Sequence, residues 1–110
     1  MAETPDPVSV DPVSIDPVSI DKEMALTHRD FFRIIPGALG TDDFEKKPAG
    51  VVLEDGNRRL EITLGPERSR RIAMMEIPAC DVTLIFSGYS EAERATALHL
   101  FDRMFQKGGG

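Results

Sequence analysis

Near its N-terminus the chain contains a short repeat whose period constrains what it can fold into. Asp-Pro-Val-Ser followed by Val or Ile occurs three times over residues 6–20, and Asp21 begins a fourth copy. A proline in every unit removes a backbone donor and fixes φ, and the residue before each proline is pushed towards extended geometry. A period of five matches neither a helix nor a strand. We therefore predict that residues 1–24 are a disordered acidic tail.

The repeat also has a second interpretation, as a docking segment. Its Val-Ser-Ile runs could add a strand to an exposed sheet edge, with proline on the outward side. Residues 1–26 carry six carboxylates and a single basic residue, Lys22, so most of the net charge of −6 lies in this region. The remaining residues are close to neutral, which argues against a domain that binds polyanions over its whole surface.

Length and cysteine content limit the class of protein. A chain of 110 residues has room for one domain. Cys80 is the single cysteine, so no disulfide can form within the chain and a reducing compartment is the default. The acidic N-terminus lacks the apolar core of a signal peptide, and no apolar run reaches 18 residues. We expect a cytoplasmic protein without a membrane partner.

Two segments have the pattern of capped helices. Thr27 is placed as an N-cap with Asp30 three residues on. Pro36-Gly37 should stop this helix, with the alternative that Ala38 and Leu39 continue it as a last loose turn before Gly40. Ser90 and Glu93 form a full capping box at the start of the second helix, which Gly108 should end. The apolar stripe of the second helix consists of Ala97, Leu98, Phe101, Met104 and Phe105.

Four strands are predicted between these helices, at 51–53, 58–65, 70–77 and 81–87. Turns are expected at 54–57 and 65–67, and Pro78 should interrupt the third strand. The predicted fold class is α+β in two layers: a short N-terminal helix, a four-stranded antiparallel meander and a C-terminal helix packed on one sheet face. The domain would cover residues 25–107, followed by a flexible glycine end at 108–110. Open sheet edges favour a dimer.

Five arginines stand out in the strand region as candidate partner-binding residues. They are Arg58, Arg59, Arg68, Arg70 and Arg71. Three interpretations remain open: a solvated, ion-paired face, a contact site for an acidic protein, and a nucleic-acid site. The last lacks aromatic residues for base stacking, because the chain has one tyrosine and no tryptophan. The acidic tail could also fold back on these arginines and screen them.

Residues with reactive side chains do not form a recognisable catalytic motif. Cys80 would need a nearby base, and the spacing places neither His28 nor His99 beside it. His99 and Asp102 could share a helix face, but two ligands do not make a metal site. The terminal Gly108–Gly110 run resembles the end of ubiquitin-like carriers, but here it follows a helix instead of a strand. We predict no catalytic residue, no metal site and no cofactor.

Together these patterns predict a small non-enzymatic binding module or accessory subunit. It would contact a protein partner, or a second copy of itself, through an exposed sheet face. The alternative is nucleic-acid binding through the arginine-rich ribbon. A second alternative is an enzyme or ligand-binding protein that depends on Cys80.

Overall fold

The computed structural model describes residues 17–109, which form an α+β fold with an antiparallel sheet and two helices. The predicted class is confirmed, although the described residues form six strands where four were expected. The strands are β1 (Val18–Met24), β2 (Glu45–Lys47), β3 (Gly50–Asp55), β4 (Arg58–Leu64), β5 (Arg68–Ile72) and β6 (Met75–Ser87). The helices are α1 (His28–Leu39) and α2 (Glu91–Gly109).

The long strand β6 organises the sheet, whose order is β1-β6-β4-β3-β2. β4 and β5 pair with different parts of β6: β4 pairs with residues 82–87 and β5 with residues 75–79. Leu64 lies opposite Val82 and Arg68 opposite Ala79, so residues 65–67 bulge against residues 80–81. A bulge of this kind bends the ribbon without ending the pairing.

Strand β1 overturns the predicted end of the tail. Residues 18–24 pair with β6 over their whole length, from Val18 opposite Phe86 to Met24 opposite Cys80. Ile20 and Met24 pack against the core from this strand, and Lys22 forms an ion pair of 3.1 Å with Asp102 of α2. The predicted disordered tail is therefore wrong for residues 18–24, because β6 supplies an edge for them to pair with. The rest of that prediction, for residues 1–16, lies outside the described residues.

Both helices begin at the predicted caps, and both continue past the residues that were expected to stop them. Thr27 Oγ1 accepts from the Asp30 N–H at 3.1 Å, and the reciprocal bonds of the Ser90–Glu93 box measure 2.9 and 3.1 Å. α1 continues through Pro36 to Leu39 and ends at Gly40, whose positive φ of 75° suits a left-handed cap. The predicted stop at Pro36-Gly37 is thus wrong, whereas the alternative, continuation through Ala38 and Leu39 to Gly40, is confirmed. The predicted end of α2 at Gly108 is also passed, because the helix runs to Gly109.

Two further predictions are wrong: residues 65–67 form a bulge and not a turn, and residues 70–77 form two strands and not one. The chain reverses inside that predicted strand, between Ile72 and Met75, which lie opposite one another. Pro78 lies within β6 instead of interrupting a strand. The described pairing explains why it is tolerated: β1 reaches only as far as Cys80, so at Pro78 β6 has β5 as its one described neighbour. Proline is compatible with such an edge position.

The core lies between the two helices and one face of the sheet. The stacked rings of Phe31 and Phe105, with centroids 5.6 Å apart, join α1 to α2. The helices approach closely at Gly37, where an added Cβ would lie 2.9 Å from Met104 Cε. The sheet contributes Leu60, Ile62, Leu64, Val82, Leu84 and Phe86 to this core. No helix of the described chain covers the opposite sheet face, which carries polar side chains such as Arg59, Asp21 and Thr83.

Removal of residues 1–24 should destabilise the protein, because it deletes β1 and exposes the β6 edge and the core beneath Ile20 and Met24. We expect the midpoint of thermal unfolding to fall by more than about 5 °C, a kcal/mol-scale effect for a domain of this size. Circular dichroism melts of the full chain and the truncation measure this. A chain that starts at residue 17 keeps β1 and is the matched control. Equal melting of all three would show that β1 adds no stability.

Candidate partner-binding arm

A two-stranded arm extends from the sheet beyond the bulge at residues 65–67. It comprises residues 68–79, in which β5 pairs with the first part of β6. All five residues of β5 are exposed. Two contacts of His28 brace the base of the arm: its Nε2 lies 2.7 Å from the Gly65 carbonyl oxygen, and its backbone N–H donates to Glu67 at 2.8 Å. The arm is therefore positioned by the start of α1.

The tip of the arm is apolar and exposed. Ile72, Met74 and Met75 have exposed fractions of 52%, 97% and 64%, and they are the large hydrophobic residues that the described chain exposes. Between them Ala73 has a φ of 55°, the one positive φ of a non-glycine residue in residues 17–109. A tight turn of this kind normally uses glycine or asparagine. The strained turn and the exposed side chains coincide, which is typical of a functional surface.

Three of the five predicted arginines lie on the arm, and each is paired with a carboxylate. Arg70 donates to Glu23 of β1 at 2.9 Å, and Arg68 donates to Glu23 and, at 3.1 Å, to Asp81. Arg71 pairs with Glu76 across the arm at 3.2 Å. Glu23 belongs to the region predicted to be an acidic tail, and it contacts the arginines as part of β1.

The other two predicted arginines lie at the far end of β4 and do not join this group. Arg58 pairs with Asp55 and with Glu93 of α2, at 2.5 and 3.4 Å. Arg59 lies on the opposite sheet face, 3.9 Å from Glu54 and 3.8 Å from Glu61. The five arginines thus form an arm group and two separate sites, not one continuous patch.

The carboxylates paired with these arginines weaken their attraction for an anionic ligand. The hydrogen bonds that Arg68 donates to Asp81 and Glu23 raise its pKa, and the hydrogen bond that Arg58 donates to Asp55 raises the pKa of Arg58. The guanidinium groups stay charged, but adjacent carboxylates offset their field. An anionic ligand would have to compete with these carboxylates for the same donors.

Cys80 is fully buried in the core, opposite Met24. Burial raises the pKa of its thiol, so the thiolate required of a nucleophile is disfavoured. The ring of His28 bonds the Gly65 carbonyl, and His99 lies exposed on α2. The described residues contain no group of three or more His, Cys, Asp or Glu placed to hold a metal ion.

Comparisons with known proteins add no assignment. A scan against protein-family models, a search of curated proteins and a search of solved structures each gave no match to this chain. In the part of the chain that the structure describes, neither helix is long and apolar enough to cross a membrane.

Sequence reasoning missed the apolar tip because residues 72–75 were assigned to the interior of a strand. The Ile-Ala-Met-Met sequence contains none of the residues that usually mark a turn. One signal was present: alternation of apolar and polar residues breaks down at Ala73 and Met74.

Replacement of Glu23 with Gln should expose Arg68 and Arg70 to anions. We expect this variant to elute from a heparin column at higher salt than the wild type. Glu45→Gln is the matched control, since it makes the same charge change beside Lys47 on β2. Elution of both variants at the same salt concentration would contradict the prediction, because it would show that only the change in net charge matters.

Cys80 should react with a thiol reagent such as Ellman's reagent on unfolding and hardly at all in the native protein. Because burial raises the pKa of its thiol, thiolate is disfavoured in the native state at pH 8, compared with the unfolded chain. The absorbance of the released thiolate in buffer and in denaturant measures this. Rapid reaction of the native protein would show an accessible, activated thiol.

Proposed function

We propose that this protein is a non-enzymatic module that binds a protein partner through its arm. The observation that carries the proposal is the exposed apolar tip formed by Ile72, Met74 and Met75. A soluble domain seldom leaves large apolar side chains grouped at the end of a projecting ribbon unless they are covered in a complex. Methionine suits such a site, because its flexible, polarisable side chain adapts to the surface it contacts.

The arginines of the arm support a particular chemistry for the partner. Arg70 and Arg71 flank the tip with side chains that are 54% and 75% exposed, even while they pair with Glu23 and Glu76. A complementary surface therefore has an apolar recess for the tip and carboxylates at its edge. The small area of the tip favours a transient contact or an accessory one within a larger assembly.

Nucleic acid is less favoured as the partner. The arm arginines already have carboxylate partners, and the arm carries no aromatic side chain on which a base could stack. An enzyme acting through Cys80 is disfavoured by complete burial of the thiol. The lone cysteine supports a reducing compartment such as the cytoplasm as the place of action.

The test is partner capture by the full chain and by the double variant Met74→Ser, Met75→Ser. Tagged protein is incubated with nuclease-treated lysate of the native host, and retained proteins are quantified by mass spectrometry. We expect the wild type to retain one protein. The variant should retain at least about tenfold less of it, which corresponds to a loss of about 1.4 kcal/mol in binding free energy. Both replaced side chains are exposed, so the melting temperature should stay unchanged.

Two further variants locate the contact. A photo-crosslinking amino acid at position 74 should join the retained protein, whereas the same group at position 95, exposed on α2, should not. Arg59→Glu tests the opposite possibility, that the uncovered sheet face makes the contact. Retention lost with Arg59→Glu but kept by the tip variant would overturn the arm as the site. A wild-type dimer that the tip variant converts to a monomer, measured by light scattering, would identify the partner as a second copy.

A further inference from the structure

A cavity of about 400 Å³ lies between the helices and the inner face of the sheet, away from the arm. Its lining includes the half-buried side chains of Leu53, Ala97 and Leu100, and the buried side chains of Leu60, Leu84 and Phe86 close its inner end. Its volume lies in the range of small-molecule sites, and its lining is mainly apolar, as in such sites. The charged residues Asp55, Arg58 and Glu93 lie at its rim.

The cavity arises from an uneven distribution of side-chain size along α2. Phe101 and Phe105 in the second half of the helix are buried and fill the layer between helix and sheet. In the first half, Ala97 and Leu100 border the cavity and are only half-buried, and the small exposed residues Ala92 and Thr96 lie at its mouth. The space is therefore built into the sequence of α2, next to a tightly packed region of the same helix.

Tyr89 places a hydroxyl group without a partner at this cavity. The residue is 8% exposed, and its ring packs edge-on against Phe86 with centroids 4.9 Å apart. The Arg58 guanidinium lies over the ring, 5.4 Å from its centroid. The hydroxyl makes no hydrogen bond with any residue among 17–109. Buried polar groups are nearly always hydrogen-bonded to protein, water or ligand, so this hydroxyl offers a hydrogen-bonding position to a molecule that enters the cavity.

The backbone before Tyr89 is shaped to hold the ring in this place. Gly88 has a φ of 77°, and a Cβ there would lie 2.1 Å from the Asn57 carbonyl oxygen. Only glycine fits both the conformation and the close approach. The tyrosine is thus held by the backbone that precedes it, by the Phe86 ring and by the Arg58 guanidinium.

The charges at the rim determine which sign of charge the polar end of a ligand should carry. Arg58 lies between Asp55 and Glu93, at 2.5 and 3.4 Å, so two carboxylates face one guanidinium and the rim has an excess of negative charge. An anionic end would meet this excess, whereas a cationic end would offset it. The same charge disfavours the acidic Asp-Pro-Val-Ser repeat of this chain as the occupant.

We propose that this cavity binds a small apolar molecule that carries an amine. The apolar part lies against the half-buried side chains of Leu53, Ala97 and Leu100. The ammonium group lies at the rim beside Asp55 and Glu93, and donates a hydrogen bond to the Tyr89 hydroxyl oxygen. This site is separate from the arm and does not depend on the protein-binding proposal.

The first test compares three probes that share an eight-carbon chain: octylamine, octanol and octanoate. Each is titrated into the full chain and followed by amide shifts in proton–nitrogen NMR spectra. We expect saturable shifts at Tyr89, Ala97 and Leu100, with octylamine bound most tightly and octanoate least. No saturable shift with any probe, or tightest binding of octanoate, would overturn the proposal.

Variants then assign the binding to the cavity. Tyr89→Phe removes only the hydroxyl and should weaken octylamine about 3- to 10-fold, as expected for the loss of one hydrogen bond. Ala97→Phe fills the space and should abolish binding of all three probes; if that variant does not fold, Tyr89→Phe alone decides. Ser69→Ala, on the arm, is the control and should bind as the wild type does. Octylamine affinity unchanged by Tyr89→Phe would overturn the assigned hydrogen bond and with it the site.

Discussion

The pairing of strand β6 with three other strands is the constraint on which the rest of the structure depends. Its second half lies between β1 and β4 in the sheet, and its first half pairs with β5 to form the arm. Val82, Leu84 and Phe86 of this strand are buried under the helices, whereas Met75 at its start is 64% exposed. Core and candidate binding surface are thus parts of one continuous strand, so the arm takes its direction from the core.

Features encoded by neighbouring residues were predicted well. Both helix starts follow from capping side chains three residues apart, and the alternation in residues 58–64 correctly indicated which side chains of β4 are buried. Features that depend on residues far apart in the sequence were not predicted. β1 is a strand because residues about sixty positions away offer it an edge, as in the pairing of Asp21 with Thr83. Local composition, dominated by Asp-Pro pairs, suggested disorder instead.

In the candidate site, too, features encoded by neighbouring residues were predicted and features that depend on distant residues were not. The arginines were identified from the sequence, but Glu23, which pairs with Arg68 and Arg70, is more than forty positions away, and only the fold brings them together. The apolar tip was assigned to a strand interior because Ala73 takes a positive φ without the usual turn residues. Tyr89 was noted in the sequence as the single tyrosine, but the fold alone determines that its hydroxyl has no hydrogen-bond partner among residues 17–109.

The register of β1 has a consequence for how the repeat can change over generations. The last copy supplies Val18, Ser19 and Ile20 to the strand, and the residues after the repeat hold its position: Lys22 through Asp102, Glu23 through the arm, and Met24 through the core. A slip of one unit would place Pro17 opposite Val82 and lose all three contacts. Replication errors that insert or delete a whole unit, by contrast, still leave Asp-Pro-Val-Ser-Ile in front of the same anchoring residues. Copy number can therefore drift while the strand keeps its sequence and its partners.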